Sequence, residues 1–178
     1  MELFLAGYFP KETSLPDGWS VSAGVTEICS VSNCINHQPE GWIETWLHND
    51  WGFFNRVSDT ISMCEEPREF TVYAYRLWPQ RFLSGAVENL VLAALPVEPV
   101  PENFGSLGFD VVSKSVSSFF ECSPLSCNGL ASEAPVNAYC LLDDLEEAIA
   151  FAERCAKEQP EPGSYYVLEV LRARDVAS

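Results

Sequence analysis

Three groups of residues in this chain have the types and spacing to do chemistry. Cys29, Cys34, His37 and His48 stand in a C-x4-C-x2-H-x10-H pattern. Thiolates and imidazoles are the ordinary ligands of zinc, and the first gap lies within the spacing of zinc sites. The last gap is long, and no CxxC knuckle is present. The plainer reading has both cysteines packed as small apolar groups and both histidines at the surface. On that balance the sequence leads us to expect no metal and no cofactor.

Cys127 forms the second group. It lies in CSPLSCNG, a turn between two apolar runs. A catalytic thiol needs a base to make thiolate, and His48 and His37 are the sole histidines. Asn128 and Gly129 offer backbone N–H groups to an oxyanion. This is the alternative, enzymatic reading: a hydrolase or transferase with Cys127 as nucleophile and His48 or His37 as base. Against it, Ser123, Ser126 and Asn128 are turn formers whose side chains bond their own backbone. Cys122 and Cys127 then read as core.

The third group is carboxylate. Asp143, Asp144, Glu146 and Glu147 are dense enough for acid–base work, but each already has a role at a helix start, as cap or as dipole partner. They serve better as a binding surface. Trp42, Trp46 and Trp51 join them as candidate binding residues, because Trp is enriched at interface hot spots.

Signatures for P-loop, dinucleotide, zinc-protease, serine-hydrolase and thioredoxin-like chemistry are absent from the sequence. The formal charge is −16. That argues against nucleic acid and against anionic membrane surfaces, both of which require clustered Lys and Arg. It favours a basic protein partner. The expected function is therefore an acidic protein-binding or inhibitor module of the immunity type, without catalytic activity. Seven cysteines, an odd number, with no basic n-region or secretory h-region before Lys11, point to reduced thiols and a cytoplasmic location. No apolar run approaches the roughly 18 residues of a membrane span.

The elements that must position these residues are clearest near the C-terminus. Asp143 and Asp144 precede Leu145, Ala148, Ile149, Ala152, Cys155 and Ala156, an apolar stripe at helical spacing. Pro160, Pro162 and Gly163 end that helix. Tyr139–Leu142 before it and Tyr165–Leu171 after it read as strands, giving a β-α-β-like unit. Upstream, Met1–Phe9 reads as a strand. Trp19, Val21, Ala23 and Val25 alternate with small polar residues, as a half-buried antiparallel strand would, and the two would pair as a hairpin. Gly41–Leu47 suggests a short amphipathic helix carrying Trp42 and Trp46. Ser58–Cys64 suggests a helical turn, Phe70–Leu77 a strand, and Val87–Leu95 another. Residues 95–104, with three prolines, read as an extended segment and the best candidate for a boundary. The expected architecture is one α+β domain, 1–178, with a mostly antiparallel sheet and a few packed helices.

Overall fold

β2 (Phe70–Leu83) is the axis of the sheet. Its FTVYAYRLW run is β-branched and aromatic, which suits a pleated surface. A computed structural model of the chain describes residues 1–12, 18–32, 34, 48–64, 70–92, 95–115, 119–127, 131 and 134–174. β1 (Phe4–Glu12) pairs with residues 70–77 of β2, and β3 (Ala86–Asn89) pairs with residues 80–83, all antiparallel. The change of partner falls at Trp78-Pro79, where proline has no N–H to give a ladder. On the other side of β2 lies β5 (Ser164–Ala173), and beyond it β4 (Phe104–Lys114). The sheet thus has five strands in the order β1-β2-β5-β4, with β3 extending the β1 edge. Strands from both sides of the proline-rich segment share this one sheet.

Two glycines set the edges. Gly7 (φ +140°) and Gly108 (φ +136°) stand at register shifts in β1 and β4. A Cβ on Gly7 would lie 2.5 Å from the Phe54 carbonyl oxygen, and one on Gly108 would lie 2.6 Å from that of Leu142. Each glycine lets a loop approach the sheet edge, where Tyr8 bridges to Phe54 and Phe109 bridges to Leu142. Both are bulges with a local function, the seating of a covering segment.

α1 (Val57–Ser62) is a single short helix. α2 (Leu145–Glu158) is the long one, and its caps follow the sequence: Asp144 accepts from the N–H groups of Glu146 (2.7 Å) and Glu147 (3.2 Å). It buries Ala148, Phe151, Ala152, Cys155 and Ala156 against Val111, Tyr165, Val167 and Phe82. Gln159 ends it in the left-handed region (φ 49°). Among the described residues no helix is long and apolar enough to cross a membrane.

The opposite face of the sheet carries Phe9, Lys11, Tyr73, Tyr75, Asp110, Val112, Tyr166, Leu168 and Val170, since partners in register share a face. Irregular segments around residues 27–32, 48–54 and 119–127 pack against it, with Phe53, Phe54 and Phe120 as their apolar payload.

Several sequence expectations are corrected here. Trp19–Thr26 is not a strand, and β1 forms no hairpin with it. Val25 N–H turns back to Ser22 O, Gly24 has φ +91°, and the Ser22 hydroxyl bonds the Ala131 and Ala134 carbonyls, so side-chain and turn bonds replace the ladder. Tyr139–Leu142 is a turn with one bridge to β4, held by Asn137, whose Oδ1 accepts from Tyr139 and Leu141 N–H. β5 is antiparallel to both its neighbours, so no parallel crossover forms. Of the described residues in the expected Val87–Leu95 strand, only 87–89 are ladder, as part of β3 (Ala86–Asn89). The Gly41–Leu47 helix lies outside the described residues.

Candidate functional site

The outer face of α2 is built by helix periodicity from Glu146, Ala150, Glu153 and Lys157. Asp143, Asp144, Glu147 and Glu158 flank it, and all of these are exposed. At its C-terminal end the face opens into a groove of about 270 Å³ against the β2–β3 hairpin, lined by Phe82, Leu83, Gly85, Ala86, Val87, Glu153 and Lys157. β3 is exposed along its whole length. Val87, at 48% exposure, supplies an apolar contact in a groove whose charged lining is Glu153 and Lys157.

Several bases are engaged within the fold, while Arg56, Lys157 and Arg174 are exposed. Arg76 pairs with Glu169 (3.2 Å), Arg81 with Glu88 (2.5 Å) and Arg172 with Glu27 (2.5 Å). Arg154 lies over the Phe151 ring, Lys114 over Trp51 and Phe120, and Lys11 is buried. Among the described residues, Asp143, Asp144, Glu146 and Glu147 enter no ion pair. Asp143 accepts only from Asn137 Nδ2 (2.8 Å), and Asp144 from the helix N–H groups.

Trp51 is half-buried. It stacks on Phe120 (6.3 Å, 13°) and meets Tyr166 edge-on (5.8 Å) beneath Lys114. With Asp50, Val91, Leu95, Lys114 and Tyr166 it lines a second recess of about 210 Å³, beside the fully exposed Val91. Trp42 and Trp46 lie outside the described residues, as do His37, Asn128 and Gly129.

A polar centre lies under the irregular layer. Lys11 is 2% exposed; its Nζ donates to the carbonyls of Ile28 (3.1 Å) and Ser30. Asp110 is fully buried; its Oδ1 accepts from Ser123 Oγ (2.7 Å), while Oδ2 has no hydrogen-bond partner among the described residues. Burial pushes the Asp110 carboxyl up to about 6, with the Ser30 and Ser123 hydroxyls and the Lys11 charge pulling the other way. Burial pulls Lys11 down to about 8, opposed by nearby thiols and Asp110. Sequence reading missed this centre. Lys11 ends an apolar strand and Asp110 interrupts one, and those two misplaced charges were the available signal.

Cys127 stands at the edge of that centre. Its Sγ lies 2.9 Å from Ser32 Oγ and accepts the Ser123 N–H at 3.2 Å. Burial pushes the thiol up to about 11, against those hydrogen bonds. A thiol so placed is neutral at neutral pH, whereas a nucleophile is activated by the opposite shift. His48, the expected base, packs edge-on against Phe54 (4.8 Å) and Phe119 (5.6 Å), and burial lowers its pKa.

Of the residues with zinc-ligand spacing, Cys34 alone enters a cluster of possible ligands among the described residues, and its companions there are Cys122 and Cys127. The three sulfurs lie within 4.8 Å of one another. Cys29 instead points its thiol to Tyr73 Oη (3.5 Å) and Glu27 (3.9 Å). The overlooked signal was the Cys122-x4-Cys127 gap, equal to the Cys29-x4-Cys34 gap that drew attention upstream.

Comparison of the chain with protein-family models, with curated proteins and with solved structures finds no match in any of the three.

Proposed function

We propose that this protein is a non-catalytic acidic binding module, of the inhibitor or immunity type, and that its partner is a basic protein. The contact surface is the outer face of α2 with Asp143, Asp144, Glu146 and Glu147, continued into the groove at the β2–β3 hairpin. One observation carries the reading. Six of the described bases (Arg76, Arg81, Arg172, Lys11, Lys114 and Arg154) are ion-paired, buried or set over aromatic rings, while the carboxylates at the start of α2 stand exposed without ion-pair partners among the described residues. A predominantly acidic surface raises encounter rates with an oppositely charged partner, and the apolar Val87 at its edge supplies desolvated contact once encounter has occurred. Single-domain organisation and a cytoplasmic location belong to the same reading; seven free thiols suit a reducing compartment.

Affinity capture from the native cell's extract tests it, run side by side with the wild-type chain and a Glu146→Gln/Glu147→Gln/Glu153→Gln variant. A basic polypeptide held by the wild type and lost by the variant supports the reading. Equal capture by both, or none by either, rejects it.

A further inference from the structure

We propose that Cys34, Cys122 and Cys127 form a binding site for one zinc(II) ion held through three thiolates. Two stretches of chain deliver the ligands, one carrying Cys34 and the other carrying Cys122 and Cys127. Cys34 follows the segment that closes over Lys11. Cys122 ends the stretch that returns along β4, where Ser113 N–H donates to Cys122 O (2.7 Å) and Glu121 N–H donates to Ser113 O (2.8 Å). Cys127 closes a tight turn in which Ser126 and Cys127 N–H both donate to Ser123 O (3.0 and 2.8 Å). Nothing in the local sequence forces Cys34 to meet the other two. Their meeting places Cys34 Sγ 2.6 Å from Cys122 Sγ, with Cys127 Sγ inside the same 4.8 Å envelope.

The size of that envelope fits the ion. Tetrahedral zinc with bonds of about 2.3 Å holds its sulfurs about 3.8 Å apart. Cys34 is exposed, so it is the ligand with room to swing outward as the pair opens. Cys122 and Cys127 are half-buried and already fixed by their turn. Exposure on the Cys34 side leaves an entry path and a fourth position for solvent.

Hydrogen bonds hold the sulfurs in place around the site. Cys127 Sγ accepts a backbone N–H from Ser123, with the Ser32 and Ser126 hydroxyls at 2.9 and 3.8 Å. Ser32 Oγ is in turn fixed by Cys34 N–H (3.3 Å) and donates to Glu121 O (3.0 Å). Such outer contacts orient metal ligands. Cys34 Sγ donates to Glu121 O (3.4 Å), and that proton is released when the metal binds. A chain of charge −16 also raises the local concentration of cations. On binding, three S–H groups lose three protons to the buffer and three S–Zn bonds form. No electrons move, and the three thiolates leave the site with one net negative charge.

The test uses the full chain, reduced and metal-free, titrated with zinc against a chromophoric chelator and separately with cadmium, whose thiolate bonds absorb in the ultraviolet. One equivalent of either metal should bind, with the cadmium band of a three-sulfur set. Cys34→Ser, Cys122→Ser and Cys127→Ser should each weaken binding by more than the roughly 10–100-fold that outer-shell changes cost. Cys64→Ser should leave it unchanged. Cys34→Ser alters an exposed side chain, so circular dichroism should report a folded protein and keep the test decisive. Failure of the folded, reduced chain to bind would overturn the site, as would binding that survives all three substitutions. So would a Cys34–Cys122 disulfide that, once reduced, still yields no metal-binding protein.

Discussion

Lys11 and Asp110 are buried on the same face of the sheet, yet they do not pair: the Lys11 ammonium donates to the Ile28 and Ser30 carbonyls, and Asp110 takes the Ser123 hydroxyl. Each is therefore charged in a dry interior without a direct counter-ion, which is the costly arrangement. The irregular layer above β1 and β4 is organised by them, because carbonyls that lack a ladder need a donor, and Lys11 supplies it.

A pH-dependent stability difference follows from Asp110. Its pKa is about 6 when folded against an ordinary 3.8, so its stabilising contribution is complete below about 4 and is lost as pH rises through 6. Lys11, lowered from 10.5 to about 8, works in the other direction: its contribution is present above 10.5 and is lost as pH falls through 8. Between pH 6 and 8 both ions sit in the core. Asp110→Asn keeps an acceptor for Ser123 and removes the titration. In urea unfolding, wild type should lose ground to this variant between pH 4 and 6, by on the order of 2–3 kcal/mol. A constant difference across that range would show that Asp110 titrates normally.

The helix cap gives a local prediction. Asp144→Ala removes the acceptor of two N–H groups and should cost about 1 kcal/mol of unfolding free energy. Asp144→Asn, which keeps the acceptor, should cost a few tenths or less. Equal losses in the two variants would mean that charge, not capping, is what Asp144 contributes.

Gly108 should be intolerant of any side chain. At φ +136° an alanine is strained, and its Cβ would lie 2.6 Å from Leu142 O. Gly108→Ala should cost about 1–3 kcal/mol from strain alone. The bridge between Phe109 and Leu142 should open, and hydrogen exchange at their N–H groups should quicken. Gly85→Ala has open space around it and should disturb no such contact, although its φ of +82° carries its own strain.

Thiol reactivity separates binding module from enzyme. Burial and a raised pKa of about 11 make Cys127 slow, and Cys34 is the exposed thiol. Alkylation of the reduced, metal-free chain at neutral pH, followed by mass spectrometry, should label Cys34 first and Cys127 far behind it. Rapid labelling of Cys127 would restore the nucleophile reading.

Local signals made β1, β2, β5, α1 and α2 legible, because each carries its own period or cap. Asp144, the stripe from Ala148 to Ala156 and the aromatic run of β2 need no distant partner to be read. The failures share a cause. Trp19–Thr26 alternates like a strand, but Ser22 and the left-handed Gly24 bind it to the 131–138 stretch. Tyr139–Leu142 is apolar because it is buried beside β4, not because it is a strand. Lys11 reaches carbonyls 17 and 19 residues on, Asp110 a hydroxyl 13 residues on, and Cys34 meets Cys122 across 88 residues, none of which a short periodic pattern records.

The association rate with the captured basic partner, measured at about 20 and about 200 mM salt, tests the central claim most directly. Steered encounter predicts a fall of roughly ten-fold or more for the wild type, and a smaller fall from a slower start for the Glu146→Gln/Glu147→Gln/Glu153→Gln variant. Rates that ignore salt and are the same for both chains would contradict the account.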